Sequence, residues 1–389
     1  MNIYIEKYDP YEGVLLADFT EIKHFNEFCS RIDFPISGSR TMLYVEGLRF
    51  NSGVIPKEGS VYSFPEELIT ELSWIREPDS DNEGLQRQGS DIIAFRAKSK
   101  TIVHSYFSKS LNKQTWTKAE LTWSGEPCGA NEINGNIKVL IKNVGQGNWN
   151  EIYANDKCIL IYDLGSSIHY STSEVKEIIR NSNAFTFKPT LIISHWDVDH
   201  YKAIFQIESH LLSRLCCVFC PSNIPNLTSK RAYEILKQNC NYINAIDSSN
   251  TRLIKRKVSL SPLYSGSNYK LFRGEMSSNR NKSGLSITLW SDINSVILAG
   301  DHYYSQIFDN IYSEIPSGMR LNIVTPHHGG EAGRIDKYIG VITNVNKAVT
   351  STGTNNYGHP KDTNRKDLAR MGFSWSRTDH INNDITIQL

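Results

Sequence analysis

The stretch Ser194-His195-Trp196-Asp197-Val198-Asp199-His200 decides the fold of this chain. It follows the apolar run Leu191-Ile192-Ile193, which predicts a buried strand, and it precedes a segment of helical spacing over residues 201–215. Two imidazoles and two carboxylates at a strand end are costly to bury unless they find partners, water or a cation. The stretch therefore predicts a polar site at the end of a core strand.

The spacing within this stretch favours metal binding. His195, Asp197 and Asp199 stand at i, i+2 and i+4, which share one face of an extended strand end, and His200 swings back as the chain turns into a helix. One short loop can thus offer two imidazoles and two carboxylates to one or two cations. The alternative is a helix-capping loop in which Asp199 caps the helix and the histidines merely pack.

Similar polar groups follow other apolar runs of the chain. Asp163 follows residues 158–162, Asp301 follows residues 295–298, and the pair His327-His328 follows residues 321–324. Alone, Asp163 or Asp301 would be an ordinary turn residue, and His359 in its Gly-His-Pro loop could simply be exposed. Layered α/β domains carry their sites at strand ends, so the joint arrangement predicts two metal ions about 3.5–4 Å apart.

Composition describes an ordinary globular chain. Its 389 residues are 39% hydrophobic, the mean hydropathy is −0.39 and the formal net charge is +1. No apolar run approaches the ~20 residues of a membrane span, and the N-terminal residues lack the pattern of an export signal. The seven cysteines are unevenly spaced, which favours a reducing compartment over a disulfide framework. We therefore expect a cytoplasmic protein that does not interact with a membrane.

The sequence predicts two domains. Residues 1–130 combine short strand and helix patterns with a polar, acidic loop over residues 77–89, and they carry no chemical motif. We expect this domain, whose role is unknown, to offer a surface for a protein partner. Residues 137–389 alternate strands, helices and polar strand ends, which is typical of a layered α/β domain.

These motifs carry a resemblance to a known family. The order Asp…His-x-Asp-x-Asp-His…Gly-Asp…His resembles the metallo-β-lactamase superfamily. More narrowly, residues 143–148, 194–200, 300–301, 326–329 and 358–360 are similar to the hydrolase domain of ComEC-type competence DNA-uptake proteins. The resemblance covers about residues 137–389.

The resemblance implies a four-layer αββα metallo-β-lactamase sandwich, with an N-terminal mixed α/β appendage. It implies two divalent metal ions, zinc or manganese, with magnesium as a further candidate. The implied ligands are His195, Asp197, Asp199, His200, the bridging Asp301 and one of His327 and His328, with Asp163 supporting the site. Asp197 stands where a histidine is common, which makes the donor set harder.

The chain departs from the family pattern at several positions. Asn143 and Asn148 replace aspartates, Gly330 replaces a serine, and no histidine occupies the usual place between the helical region and Gly300-Asp301.

A basic stretch separates the metal motifs. Between residues 230 and 282 there are eleven Lys and Arg against three acids, with tyrosines interleaved. Such a stretch can be an ordinary solvated surface, or it can steer a polyanion, with tyrosines offering stacking faces.

We therefore predict a metallo-hydrolase that cleaves phosphodiesters, foremost a DNA or RNA nuclease that uses a hydroxide activated by two metal ions. Asp199 and His359 are the candidate catalytic residues. The candidates for substrate contact are Asn143, Gln146, Arg280, Lys282 and Asn356. Two alternatives stay open: a small-molecule hydrolase on the same fold (a cyclic-nucleotide phosphodiesterase, lactonase or thioester hydrolase), or a regulatory binding protein with a weak metal site.

Overall fold

The computed structural model describes residues 1–10, 12–32, 34, 41–50, 55–64, 66–74, 92–97, 102–103, 117–119, 124–127, 133, 135–248, 257–277, 279–355 and 358–389. The predicted acidic loop over residues 77–89 and the predicted substrate contact Asn356 lie outside these ranges. Among the described residues, no helix combines the length and the apolar character needed to cross a membrane.

The strands are, in chain order, β1 (Asn2–Asp9), β2 (Val14–Phe19), β3 (Met42–Glu46), β4 (Arg49–Phe50), β5 (Val61–Ser63), β6 (Leu72–Trp74), β7 (Ile92–Ala97), β8 (Ile102–Val103), β9 (Thr117–Lys118), β10 (Ile137–Ile141), β11 (Asn150–Ala154), β12 (Lys157–Tyr162), β13 (Thr190–Ile192), β14 (Cys217–Pro221), β15 (Asn223–Ile224), β16 (Ile243–Ile246), β17 (Leu260–Ser265), β18 (Tyr269–Gly274), β19 (Leu285–Trp290), β20 (Asn294–Leu298), β21 (Arg320–Val324), β22 (Val345–Thr350), β23 (Ser374–Arg377) and β24 (Ile385–Gln388).

The helices are α1 (Ile22–Arg31), α2 (Glu66–Glu71), α3 (Thr172–Arg180), α4 (Val198–Tyr201), α5 (Ser209–Leu212), α6 (Leu227–Asn239), α7 (Tyr304–Gln306), α8 (Asp362–Arg370) and α9 (Thr378–Ile381). Short 3₁₀ turns at Lys202–Gln206, Arg280–Lys282 and Pro326–Gly329 also matter for the site.

The chain forms two compact units, the first made of residues 1–118, 169–173 and 223–232. Its six-stranded sheet has the order β5-β1-β2-β3-β7-β6. Helix α1 buries Phe25, Phe28 and Cys29, which stand at i, i+3 and i+4 on one helix face. The Phe28 ring meets the rings of Phe64 and Phe95 edge-on, which gives this unit its own aromatic core. The predicted mixed α/β appendage is thus observed, while the domain boundary at residues 130–137 stays a prediction.

The second unit contains two mixed seven-stranded sheets. The first sheet has the order β16-β14-β13-β12-β11-β10-β24, with β12, β13, β14 and β16 parallel. The second sheet has the order β17-β18-β19-β20-β21-β22-β23, with β20 to β23 parallel. One continuous apolar cluster, which includes Ile141, Leu160, Ile287 and Leu298, fills the space between the two sheets.

Helices cover the outer faces of both sheets. On the second sheet, Ile297 and Ile323 share a buried cluster with Tyr304 near α7 and Leu368 of α8. On the first sheet, the residues that alternate with the inner ones, such as Leu191, are fully buried, and α3 buries Val175 and Ile179. The predicted four-layer αββα sandwich is confirmed for the second unit.

One predicted element is wrong. The helix expected over residues 201–215 is broken into α4, a 3₁₀ turn and α5, with extended backbone at Glu208. The reason is competition for backbone hydrogen bonds: the Ala203 amide donates to the carbonyl of Leu164, and the Leu164 amide donates to the carbonyl of His200. Leu164, in the loop after β12, thus binds the His200 carbonyl and the Ala203 amide, which a continuous helix would pair within itself.

Candidate metal centre

The predicted ligands lie at the carboxyl ends of parallel strands in both sheets of the second unit. Asp163 follows β12, His195 lies just beyond β13, Asp301 lies beyond β20, and His327 and His328 lie beyond β21. The backbone is left-handed at His327 (φ 51°) and His328 (φ 51°), a conformation that is uncommon for residues other than glycine. The chain therefore reverses sharply after β21, and both adjacent imidazoles reach the centre.

Two groups of side chains have the spacing of metal ligands. In the His195 group, formed by His195, His200 and Asp301, one ligand atom from each residue lies within 4.8 Å of the others. In the His328 group, formed by Asp199, His200 and His328, the same holds. His200 belongs to both groups, so the two candidate positions adjoin each other.

Asp301 spans the centre with its two carboxylate oxygens. Oδ1 lies 3.2 Å from Nε2 of His200, and Oδ2 lies 3.7 Å from Nε2 of His195 and also 3.7 Å from Nε2 of His327. Burial opposes ionisation of Asp301, but His200, His327 and His195 together hold the pKa of its carboxyl well below the ordinary value. The prediction left open which of His327 and His328 is a ligand, and the structure brings both to the centre, on different sides.

Buried atoms that lack hydrogen-bond partners point to a cation. Nε2 of His195, His200 and His328 and Oδ1 of Asp301 are all buried without one. Each unpaired buried group costs roughly 1–3 kcal/mol, so several that converge on one place need a common partner. Imidazole nitrogens and carboxylate oxygens are donors for divalent cations, and the residues present therefore fit two divalent ions.

The outward nitrogen of each imidazole is held by the protein. Nδ1 of His200 lies 2.8 Å from Asp163 Oδ2, Nδ1 of His328 lies 2.9 Å from the Ser351 carbonyl, and Nδ1 of His327 lies 3.2 Å from the Glu331 carbonyl. A carboxylate or carbonyl can only accept, so each of these nitrogens carries the proton and Nε2 keeps its lone pair for the centre. Ring orientation and tautomer are thus set in advance.

The Asp163 carboxylate accepts hydrogen bonds from several groups around the centre. Asp163 is fully buried, its backbone is left-handed (φ 63°), and it accepts hydrogen bonds from the Ser194 amide (2.6 Å), the Ser194 hydroxyl (2.7 Å) and the Asn148 amide group (2.7 Å) in addition to His200. The predicted supporting role of Asp163 agrees with this geometry. The role of Ser194 was missed, although a hydroxyl residue directly before His195 was a signal.

The departure at Asn148 has a physical reason. Its Nδ2 donates to Asp163, and its Oδ1 accepts from Asn150 Nδ2 at 2.8 Å. An aspartate there would set a second buried carboxylate against Asp163.

We expect Asn148→Asp to lower the free energy of unfolding by about 2–3 kcal/mol, because a donor is lost and two carboxylates face each other. Urea unfolding at neutral pH measures the change. Asn143→Asp is the matched control, since Asn143 is only half-buried and its side chain contacts Asn382. A smaller loss at position 148 than at position 143 would contradict this account.

Asp197 and Arg280 form an ion pair beside the His195 group. Oδ2 of Asp197 lies 3.3 Å from Nε2 of His195, while Oδ1 contacts Nη2 of Arg280. Burial raises the pKa of the Asp197 carboxyl, but Arg280 and His195 outweigh it and hold the pKa below the ordinary value. Arg280 also donates to the Trp196 carbonyl at 2.6 Å and is 8% exposed. Two nitrogens of its guanidinium are thus bound to the protein, and its predicted contact with substrate stays a prediction.

The other residues predicted to contact substrate differ in their surroundings. The Asn143 contact also stays a prediction: its backbone amide donates to Asp384 at 2.7 Å, and its side chain donates to Asn382 at 3.4 Å. Gln146 is buried and its Nε2 lies 3.4 Å from Nδ1 of His359. Lys282 lies 4.0 Å above the Tyr303 ring, and partial burial lowers its pKa.

Gly330 makes room for His359. A Cβ at position 330 would collide with Cε1 and Nε2 of the His359 ring, which packs edge-on against His327 at 5.1 Å between ring centroids. The glycine that replaces the usual serine therefore lets His359 lie beside the metal centre.

The basic stretch does not form one free cationic surface in the part that the structure describes. Lys270 pairs with Glu314 at 2.6 Å, Lys257 lies 3.9 Å from Asp309, and Arg273 is 2% exposed. Arg252, Lys255 and Arg256 lie outside the described residues.

Trp196 and Asn281 complete the surroundings of the centre. Trp196 is buried, donates to the Pro221 carbonyl at 2.8 Å and packs on Tyr201. Asn281 Nδ2 lies 3.4 Å from Asp301 Oδ2. The sequence signal for Asn281 was its place between Arg280 and Lys282, both named as candidates.

No family model and no curated protein matches the chain. Among solved structures, it is similar to the metallo-β-lactamase fold protein YhfI from Bacillus subtilis (11% identity, 66% of this chain and 100% of that chain, TM-score 0.39). It is also similar to the short form of human tRNase Z (9%, 64% and 98%, TM-score 0.35). A third is CmlA, a diiron β-hydroxylase from Streptomyces venezuelae (12%, 66% and 55%, TM-score 0.37). These likenesses concern the fold alone.

Proposed function

We propose that this chain is a metal-dependent hydrolase of phosphodiesters that works with two divalent ions. The observation that carries the proposal is the pair of adjoining ligand groups, which share His200 and are spanned by the two oxygens of Asp301. Zinc, manganese and magnesium remain the candidates, since imidazoles suit zinc and the three carboxylates Asp197, Asp199 and Asp301 suit the harder ions.

Each residue of the centre has a proposed task. His195, Asp197 and Asp301 would hold one ion and Asp199, His200 and His328 the other, with His327 on the Oδ2 side of Asp301. Two such ions supply Lewis-acid activation of water and neutralise charge on a phosphoryl group. Asp199 would also orient the attacking water through its carboxylate.

His359 is proposed to hold the leaving oxygen. The Thr352 hydroxyl donates to Oε1 of Gln146 at 3.0 Å, which leaves Nε2 of Gln146 to donate to Nδ1 of His359. The neutral imidazole then carries its proton on Nε2, from which it would donate a hydrogen bond to the leaving oxygen and stabilise its developing charge.

Charge favours a phosphodiester over a neutral ester. The carboxylates of Asp163, Asp197, Asp199 and Asp301 face one guanidinium, that of Arg280. Two divalent ions would turn this negative centre slightly positive, which attracts an anionic substrate. Lactones and thioesters gain nothing from that charge.

Nucleic acid is the first proposed substrate, as in the ComEC-like hydrolase domains that the motifs resemble. A small phosphodiester such as a cyclic nucleotide is the second, because Lys270 and Arg280 are paired with the protein's own carboxylates. A protein partner for residues 1–130 remains a proposal as well.

The test combines elemental analysis with hydrolysis of single-stranded DNA, RNA, a cyclic nucleotide and bis-p-nitrophenyl phosphate. We expect two equivalents of metal and metal-dependent cleavage that is lost in the His200→Ala, Asp301→Ala double variant. Full activity in that variant would overturn the two-ion proposal. Cleavage of the small esters alone would select the second substrate class.

Gly330→Ser tests the role of His359. A serine Cβ would collide with Cε1 of the His359 ring and lie 2.7 Å from the His327 carbonyl oxygen, so the ring or that backbone must shift. A misplacement of about 1 Å can cost on the order of 100-fold in rate. We expect such a loss in kcat on bis-p-nitrophenyl phosphate with metal content unchanged. His359→Ala should reproduce the loss and the double variant should add little to it. Undiminished activity in Gly330→Ser would remove His359 from the mechanism.

A further inference from the structure

A short turn places two side chains on the carboxylates nearest to His195. The 3₁₀ turn Arg280–Lys282 is capped by Asn279, whose side chain accepts from the Asn281 amide at 3.0 Å. From this turn, Arg280 pairs with Asp197 and Asn281 approaches Asp301 Oδ2 at 3.4 Å. Both contacts come from donors, and one of them is a full positive charge.

Acceptors support the other imidazoles of the centre, including His327 on the Oδ2 side of Asp301, whose Nδ1 lies 3.2 Å from the Glu331 carbonyl. His200 is backed by the Asp163 carboxylate and His328 by the Ser351 carbonyl. Negative or carbonyl partners raise the basicity of an imidazole ligand and strengthen its bond to a metal ion. The His328 group, which combines these two histidines with Asp199, is therefore built for tight binding.

The support of Asp197 acts in the opposite sense. Arg280 takes Oδ1 and leaves only Oδ2, 3.3 Å from His195 Nε2, to face the centre. The buried guanidinium also withdraws negative charge from that carboxylate and repels any cation next to it, with little screening because Arg280 is 8% exposed.

We propose that the two metal positions differ in affinity, and that Arg280 makes the position formed by His195, Asp197 and Asp301 the weaker, exchangeable one. This inference rests on the proposed two-ion function. The ion held by Asp199, His200 and His328 would stay bound, while the other would load and leave as the free metal concentration changes. Arg280 is then a positioning residue that links activity to metal supply.

The test is a titration of the metal-stripped full chain with Mn²⁺, in which electron paramagnetic resonance counts the free ion. We expect two equivalents with dissociation constants at least about tenfold apart. Arg280→Gln removes the charge but keeps an amide for the Trp196 carbonyl, and we expect it to tighten the weaker position about tenfold or more while the stronger stays unchanged. Arg280→Lys keeps the charge and should keep that position weak.

Several outcomes would overturn the inference. Equal affinities in the wild type would do so without any variant, and so would a weaker position that is unchanged or loosened in Arg280→Gln. Asp197→Asn leaves the charge of Arg280 uncompensated and should weaken the same position further. A wild type that still binds fewer than two equivalents at saturating Mn²⁺ would instead refute the proposed two-ion function, so the two failures are distinguishable.

Discussion

Replacing Asp301 by alanine is expected to remove measurable binding of one ion, weaken the other, and reduce phosphodiester hydrolysis by on the order of 1,000-fold. The reason is position: its oxygens lie 3.2 Å from His200, which belongs to both ligand groups, and 3.7 Å from both His195 and His327. Metal ions contribute several kcal/mol to transition-state stabilisation, and about 1.4 kcal/mol corresponds to each tenfold change in rate.

The measurement is metal stoichiometry by elemental analysis together with kcat/KM on the substrate panel. Asp292→Ala is the matched control, because Asp292 is exposed on the turn between β19 and β20, the strand that leads to Asp301. Unfolding curves should show that both variants fold. Two equivalents of tightly bound metal in Asp301→Ala would contradict the proposed ligand role.

The second large effect is expected at Asp163. In Asp163→Ala, the Ser194 amide and hydroxyl, Asn148 and His200 lose their acceptor. Unpaired buried donors cost roughly 1–3 kcal/mol each, and water that enters the space recovers part of this, so we expect a loss of about 4 kcal/mol in unfolding free energy. The left-handed backbone of Asp163 adds about 1 kcal/mol of strain for alanine.

Asp156→Ala isolates the backbone contribution. Asp156 has nearly the same φ (64°), but it is exposed, and its side chain pairs with Lys138 at the surface. Urea unfolding in the presence of a chelator should therefore show about 1 kcal/mol for Asp156→Ala and several times that for Asp163→Ala. Similar losses in the two variants would show that the hydrogen bonds of the Asp163 side chain do not stabilise the fold.

Asp163→Asn separates charge from packing. The amide retains the size of the carboxylate but removes the negative charge behind His200, and loss of such an outer partner typically costs about 10–100-fold in metal affinity. We expect that loss in Mn²⁺ binding at the position of Asp199, His200 and His328. An unchanged affinity would mean that Asp163 acts only through packing.

The sequence carried most of the local information about the site. A strand end rich in His and Asp identified residues 195–200 as a candidate metal site, because imidazoles and carboxylates are costly to bury without a partner. The apolar runs before Asp163, Asp301 and His327-His328 predicted strands that the structure contains as β12, β20 and β21. Alternating strands and helices predicted a layered α/β domain, since each apolar face needs a covering layer, and the family resemblance implied the αββα arrangement.

Long-range contacts could not be read in this way. Arg280 looked like a free cation for phosphate, yet it lies on Asp197, 83 positions away, and Asn148 reaches Asp163 across two strands. The missing histidine between the helical region and Asp301 also looked like an incomplete ligand set. Only the reversal after β21, with two consecutive left-handed histidines, shows that His327 and His328 face different sides of the centre.

The sequence by itself thus indicated a layered α/β domain and the donor types of a candidate metal centre, because these follow from hydrophobic pattern and residue identity within short segments. Tertiary structure alone decided which carboxylate is neutralised, which imidazole belongs to which side, and why Gly330 must be small. These properties depend on distances of a few ångströms between segments far apart in the chain, and no local pattern encodes such distances.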